Sequence, residues 1–236
     1  MVARATSFAR NEEAEPGNVG FAVPRLQRAT LNDEVYQELK RAIMAGAIEP
    51  GSTMTIRGLA ASFGISLMPV REALNRLVAE HVLTVLPNRS VALPRIGVER
   101  FREITRIRLA LEGLAAETAA ARLEPGDLAR MEAANAAMEA GSTPAEALAW
   151  NREFHFTLYR GAAMPTLVAM IETTWLQIGP LLHIPIRTLM AGAPPHPLAT
   201  HRAILAGLRA RDPAAVRAGV HADLEQAAAE IEAALA

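Results

Sequence analysis

The sequence predicts a mainly α-helical protein, in which an N-terminal winged helix-turn-helix precedes a C-terminal all-α helical bundle. Apolar residues recur every three or four positions over most of the 236 residues. Two short β-prone runs flank residues 87–89, which is typical of a hairpin. Beyond residue 97, every segment between proline and glycine breaks has helical periodicity. We therefore expect a mobile tail over 1–28, a winged domain over 29–95 and a helical domain over 96–236.

The composition excludes several classes of protein. Apolar residues make up 51% of the chain and charged residues 21%, which is too apolar for a disordered protein. Apolar stretches are interrupted by charges or prolines before they reach the length of a membrane span, and the start lacks the apolar core of a secretion signal. No cysteine is present, which excludes disulfides and cysteine-ligated zinc and is compatible with a reducing cytoplasm.

The front of the chain contains three predicted helices. The first has apolar residues four apart and ends near Gly46. The second is capped by Thr55 and ends at Gly64, and the third is capped by Ser66 with Pro69 in its first turn. The tight joint between the second and third helices is typical of a helix-turn-helix, whose second helix enters the major groove of DNA.

Polar side chains of the third helix are available for DNA. Arg71 and Asn75 are four residues apart and point away from the apolar stripe, while Arg89 lies at the hairpin tip. Between residues 57 and 95 there are five arginines and only two glutamates. These cations either contact DNA or are solvated charges on a small helical domain.

Three motifs in this region resemble the GntR family of bacterial transcriptional regulators. They are VYQELKRAIMAGAIEPG over 35–51, IRGLA over 56–60 and PVREAL over 69–74. The resemblance covers nearly all of 31–93 and implies that Arg57, Ser66 and Arg71 contact operator DNA. Leu67 and Met68 stand where the family usually has a polar pair, which removes one expected base-reading arginine, so the resemblance does not identify the operator sequence.

Six helices are predicted in the second half. They cover about 98–122, 125–140, 144–161, 165–190, 198–210 and 213–235. Pro180 and Pro185 are expected to kink or interrupt the fourth of them.

Histidines are concentrated in this half, which contains five of the six. Asn151 and His155 are four apart and share a helix face, His201 lies in a later helix, and His221 lies in the last one. Imidazole is a common transition-metal ligand, but a core histidine bonded to a neighbour gives the same pattern.

The same half resembles the FCD ligand-binding domain of the FadR subgroup over roughly 98–232. The motifs are NREFH at 151–155, THRAIL at 200–205 and the histidine near the end. By that resemblance Asn151, His155, His201 and His221 ligate a divalent transition metal, with zinc or nickel expected first. His183 and His196 match no motif and are expected to be structural or exposed.

Arg108 lies within an apolar stripe of the first helix of this half. A charge there is costly unless it is paired, and Glu112 stands four residues later. Alternatively, the guanidinium binds the carboxylate of an effector in a bidentate manner. The resemblance to the R-x-x-L-E motif of the FCD domain favours an effector-binding role.

Together these features predict a cytoplasmic, ligand-responsive transcription factor rather than an enzyme. A homodimer is expected to bind a palindromic double-stranded operator, and a small organic acid is expected to bind beside the metal. One alternative is a small metalloenzyme whose histidines hold a catalytic ion. Another is a helical adaptor whose front half binds protein.

Overall fold

The computed structural model describes residues 31–87, 90–140, 143–191 and 198–236. The predicted tail, Arg89 and His196 lie outside these ranges.

Three helices form the front of the molecule, as predicted: α1 (Leu31–Met44), α2 (Ile56–Phe63) and α3 (Leu67–Ala79). Thr55 caps α2 by accepting the backbone N–H of Gly58, and Gly64 ends it with a left-handed φ of 67°. Ser66 precedes α3, but its side chain makes no capping hydrogen bond. The helices share one core, to which α1 and α3 contribute fully buried apolar side chains: Val35, Leu39, Ile43, Val70, Leu74 and Leu77.

A small antiparallel sheet completes this part and contains one strand that periodicity did not predict. The predicted hairpin is present as β2 (Thr84–Val85) and β3 (Val91–Ala92). The additional strand β1 (Thr53–Met54) pairs with the other edge of β3, so the order is β1-β3-β2. Two residues directly after a turn are too few to carry an alternating pattern.

The second half contains seven α-helices among the described residues. They are α4 (Val98–Ala120), α5 (Pro125–Glu139), α6 (Pro144–Gly161), α7 (Pro165–Ile178), α8 (His183–Met190), α9 (Leu198–Ala210) and α10 (Pro213–Leu235). The predicted helix 165–190 is interrupted by a 3₁₀ turn at Gly179–Leu181, because Pro180 cannot continue the backbone ladder. Within the described ranges, no single helix is long and apolar enough to cross a membrane, and only the bent pair Pro165–Leu181 and His183–Met190 meets the length and composition criteria together.

Helix α10 packs closely against α4 and α9, and the side chains between these helices form part of the interior of the bundle. Gly113 of α4 allows this approach, since a Cβ at that position would lie 2.4 Å from His221 Nε2. Phe154, Phe156, Tyr159 and Trp175 fill the centre and are at most 2% exposed.

Within the part of the chain that the structure describes, two side-chain contacts of α7 join the front and back halves. The ammonium of Lys40 in α1 is 2.9 Å from a carboxylate oxygen of Glu172 in α7. The side chain of Gln177, also in α7, donates to the carbonyl oxygen of Glu80 at the end of α3 (3.0 Å). One helix of the bundle therefore contacts both the first and the third helix of the front domain.

Candidate functional site

The outer face of α3 carries polar groups that the core does not use. Arg71 and Asn75 are exposed, as is Arg57 in the first turn of α2. Within the described residues neither Arg57 nor Arg71 forms an ion pair, whereas Arg76 pairs with Glu80 at 3.2 Å. Exposed cations without internal partners are suited to phosphate and base contacts.

The first turn of α3 is exposed as well. Ser66 is accessible with its hydroxyl uncommitted to the helix cap, and Leu67 and Met68 are 42% and 58% exposed. This places apolar side chains at the end of the helix that reads bases in helix-turn-helix proteins.

A cavity in the bundle contains a cluster of three potential metal ligands. His155 of α6, His201 of α9 and Asp223 of α10 each offer one ligand atom, and these atoms lie within 4.8 Å of one another. The Nε2 atom of His155 is 3.3 Å from Asp223 Oδ2, and Nε2 of His201 is 3.6 Å from Asp223 Oδ1. Both histidines are 2% exposed, and the ring of His201 stacks on Phe154.

A chain of buried hydrogen bonds determines the tautomer of His155. Tyr159 donates its single proton to Glu112, which is fully buried and pairs with Arg108 at 2.6 Å. Burial and the Glu112 carboxylate raise the pKa of the Tyr159 phenol well above its usual value, so the proton stays on Tyr159. The phenol oxygen, 3.2 Å from His155 Nδ1, is therefore an acceptor for the Nδ1–H group.

This tautomer leaves a lone pair on His155 Nε2 that faces a carboxylate oxygen. Two acceptors 3.3 Å apart are stable only if a cation lies between them, either a proton or a metal ion. At His201, burial lowers the pKa to about 4, which keeps the imidazole neutral and able to ligate a metal. Its Nδ1 is buried without a hydrogen-bond partner in the described part of the chain.

The Asp223 carboxyl is ionised in this setting. Burial alone would raise its pKa, but when a proton lies between His155 Nε2 and Asp223, that hydrogen bond, the charge of the ring and the hydroxyl of Thr200 hold the pKa well below its usual range. Two imidazoles and one carboxylate are a donor set that zinc and nickel accept. The residues of the cluster therefore fit a divalent transition metal.

The structure brings three of the four residues expected to ligate a metal to one cavity and places the fourth elsewhere. Asn151 lines the same cavity as His155 and His201. His221 does not join them, because its Nε2 donates to the carbonyl oxygen of Leu109 in α4, 3.0 Å away. Asp223, two residues later on α10, occupies the third position of the cluster instead. His183 is bonded to the carbonyl oxygen of Pro180, in keeping with a structural role.

Sequence reasoning missed Asp223, although one signal was available. Val216, Val220 and Asp223 follow the i, i+4, i+7 spacing of a buried helix face. A carboxylate at the end of such a stripe is costly unless it is paired, which marks it as a candidate ligand.

Arg108 forms the ion pair with Glu112 that one interpretation of the sequence expected, and it also lies in the cavity wall. The residue is 5% exposed. Its guanidinium lies 5.0 Å from the ring centre of Trp175. The cavity thus combines a cation, a candidate metal centre and an aromatic wall.

Comparisons with known proteins identify the family of each half of the chain. Residues 31–93 match the family described as bacterial regulatory proteins, gntR family, and residues 103–231 match the FCD domain. The HTH-type transcriptional regulator McbR of Escherichia coli is 33% identical over 192 residues, which cover 80% of this chain and 86% of that protein.

Solved structures show the same fold. The structure of E. coli McbR/YncC has a TM-score of 0.77 and 32% identity, and the match covers 89% of this chain and 100% of that one. A putative GntR regulator from Rhodococcus sp. RHA1 has a TM-score of 0.71 at 20% identity, which supports the fold alone. The families and relatives that match are transcriptional regulators and not enzymes, which removes the metalloenzyme alternative. The chain belongs to the GntR family of bacterial transcriptional regulators and carries the FCD domain behind its helix-turn-helix.

Proposed function

We propose that this regulator binds a palindromic operator as a homodimer and responds to a small organic acid bound at a metal centre in its FCD domain. The observation that carries the proposal is the cluster of His155, His201 and Asp223 in one cavity with Arg108. A divalent metal there would supply a Lewis-acidic position for an oxygen of the ligand, and Arg108 would pair with its carboxylate.

The metal would be held by the two imidazoles and Asp223, with Asn151 as the neighbouring oxygen donor. The hydrogen bond from His155 Nδ1–H to Tyr159 orients the ring and directs Nε2 into the cavity. Such outer partners fix ring orientation in metal sites generally. Zinc and nickel are the expected ions, because both accept mixed nitrogen and oxygen ligands.

The proposed DNA contacts come from α2, α3 and the wing. Arg71 and Asn75 are directed to the major groove from α3, and Arg57 and Ser66 to the adjacent backbone. Arg89 in the loop between β2 and β3 is proposed as the wing contact; it lies outside the described residues. Binding to the chromosome implies a cytoplasmic location.

An apolar stripe on α4 supports the homodimer. Ile107 and Leu114 are 42% and 45% exposed, and they lie seven residues apart, which is two helical turns. Leu111 lies between them on the same face and is half-buried. Such a stripe is suited to a second copy of the same helix across a two-fold axis, and the resulting symmetry requires a palindromic operator.

Helix α7 is the proposed link between ligand and DNA. Trp175 lines the cavity, with its ring centre 5.5 Å from that of His155. On the same helix, Glu172 pairs with Lys40 of α1, and Gln177 donates to the carbonyl oxygen of Glu80 at the end of α3. A ligand that binds one position of α7 more tightly than another would thereby shift the DNA-binding helices.

The experiment is a measurement of operator affinity with and without metal and organic acids. Operator fragments are selected from genomic DNA by the purified full chain, and their dissociation constants are measured by fluorescence anisotropy. An acid is expected to change operator affinity in the zinc-loaded protein and to have no effect after chelation.

Two variants show whether the response depends on the cluster. His201→Gln is expected to bind the operator normally and to lose the response to acid. His183→Gln, whose histidine is bonded to Pro180 outside the cluster, is the matched control and keeps the response. A response that survives both chelation and His201→Gln would refute the proposed metal centre.

A further inference from the structure

The cavity also contains an acidic residue that the metal cluster does not use. Glu230 of α10 lines the cavity together with Gln226 and Ala227. Both carboxylate oxygens of Glu230 are buried, and neither has a hydrogen-bond partner in the described part of the chain. A buried carboxylate without a partner is strongly unfavourable, so a donor from outside the chain would stabilise it.

The position of Glu230 relative to Asp223 gives the cavity two polar ends. Seven residues separate the two, so they lie on the same face of α10, with Cα atoms about 10 Å apart along its axis. Ala227 lies between them with only a methyl group, and Ile186 and Leu189 of α8 line the cavity with apolar surface. A ligand that reaches both ends therefore needs an apolar middle section.

We infer that Glu230 binds the ammonium group of the effector, which is a linear ω-amino carboxylate. The inference rests on the proposed function, in which the carboxylate end of the effector binds at the metal and Arg108. The cavity volume is about 50 Å³, which is room for one or two water molecules, so the helices that line it must move apart to admit a chain of this size. An extended chain advances roughly 1.2 Å per bond, so six bonds cover about 7 Å of the roughly 10 Å between the two Cα positions, and the metal and the Glu230 side chain cover the rest.

This chain length excludes a simple α-amino acid. In a simple α-amino acid the ammonium and carboxylate groups are attached to the same carbon, so a molecule bound at the metal leaves Glu230 unpaired. A carboxylic acid of the right length without an ammonium group buries the Glu230 carboxylate without a donor and is disfavoured for the same reason. Selectivity for the terminal ammonium is the property that separates this ligand class from organic acids in general.

The test compares 6-aminohexanoate with hexanoate, which has the same carbon chain and no ammonium group. Binding of each to the zinc-loaded full chain is measured by isothermal titration calorimetry. We expect 6-aminohexanoate to bind at least about tenfold more tightly. Glu230→Gln removes this preference, whereas Glu225→Gln, an exposed carboxylate on the same helix, keeps it.

Zinc content and operator binding of the same samples distinguish a failure of the proposed metal centre from a failure of the amino-carboxylate inference. Wild-type protein that retains no zinc refutes the proposed metal centre and this inference with it. Protein that retains zinc and binds its operator, but binds the two acids equally or not at all at millimolar concentration, refutes the inference alone. A preference for 6-aminohexanoate that survives Glu230→Gln also refutes it, provided that the variant melts at the wild-type temperature.

Discussion

Replacing Asp223 and His221 separately by alanine distinguishes the metal site of the fold from the one that the sequence motifs imply. Asp223 lies within reach of His155 Nε2 and His201 Nε2, whereas His221 is bonded to the backbone of α4. Asp223→Ala is therefore expected to lose metal affinity, and His221→Ala is expected to keep it.

The magnitudes follow from the contacts. Substitution of outer-sphere partners typically lowers metal affinity by about 10–100-fold, and a direct ligand contributes at least as much. A loss of about 100-fold for Asp223→Ala corresponds to about 2.7 kcal/mol of binding free energy. His221→Ala removes one hydrogen bond and some packing over Gly113, which costs about 1–2 kcal/mol of unfolding free energy.

The two quantities need separate assays. Zinc affinity is measured by competition with a chromophoric chelator, with His201→Ala as the positive control for ligand loss. Stability is measured by thermal melting in excess chelator, so that metal binding does not contribute. At about 2–4 °C per kcal/mol for a chain of this size, His221→Ala is expected to melt about 2–8 °C lower than wild type. If His221→Ala loses zinc while Asp223→Ala retains it, the assignment of the third ligand is refuted.

Four further predictions concern the DNA surface, the metal site and the dimer. Arg71→Ala is expected to cost about 1–3 kcal/mol of operator binding, measured by anisotropy, because it removes an exposed cation from α3. Tyr159→Phe is expected to weaken zinc binding about tenfold in the chelator competition, since it removes the acceptor that orients the His155 ring. The unfolding free energy of metal-free protein is expected to fall in urea titrations as the pH decreases from 6.5 towards 4, because unfolded chains protonate His201 while the folded state, with its pKa near 4, does not. Ile107→Glu is expected to shift the protein from dimer to monomer in analytical ultracentrifugation, because it places a charge in the apolar stripe of α4.

Each of these is checked by a control or by a contradicting result. For Arg71, unchanged operator affinity at low salt excludes a DNA contact. For Tyr159, equal zinc affinity of wild type and variant means that the phenol does not orient the ligand. For the pH dependence, His201→Gln should flatten the curve, and an identical slope assigns it to other groups. For the dimer, Met190→Glu changes another exposed apolar residue outside α4 and should leave the mass unchanged.

The helices and their ends were largely predictable, because the signals that define them are local. The breaks at Pro125, Pro144, Pro165 and Pro213 each begin a helix, and Pro180 interrupts one. Proline acts through its own ring and missing N–H, so its effect does not depend on distant residues. The two-residue strand β1 was not predictable, since it exists through pairing with β3, about forty residues later.

The candidate site was predictable only in part. His155 and His201 are 46 residues apart, and periodicity placed each of them on an inward helix face without indicating that the two faces meet. Arg108 stood out as a charge in an apolar stripe, and the fold gives it Glu112 as a partner while leaving it in the cavity wall. The role of Tyr159 was not predictable from its position four residues after His155, because it depends on the contact with Glu112 of a different helix.

The sequence by itself determined the family, the order of the helices and the face of each helix that is buried, because these depend on short-range spacing and on motifs. Only the tertiary structure decided which polar residues converge. His221 and Asp223 differ by two positions, or about 200° around α10, and both are adjacent to apolar core residues. The crossing of α10 over Gly113 directs His221 towards the backbone of α4 and Asp223 towards His155 and His201. The directions of these two side chains depend on the packing of helices that are far apart in the chain, so a local sequence pattern cannot predict them.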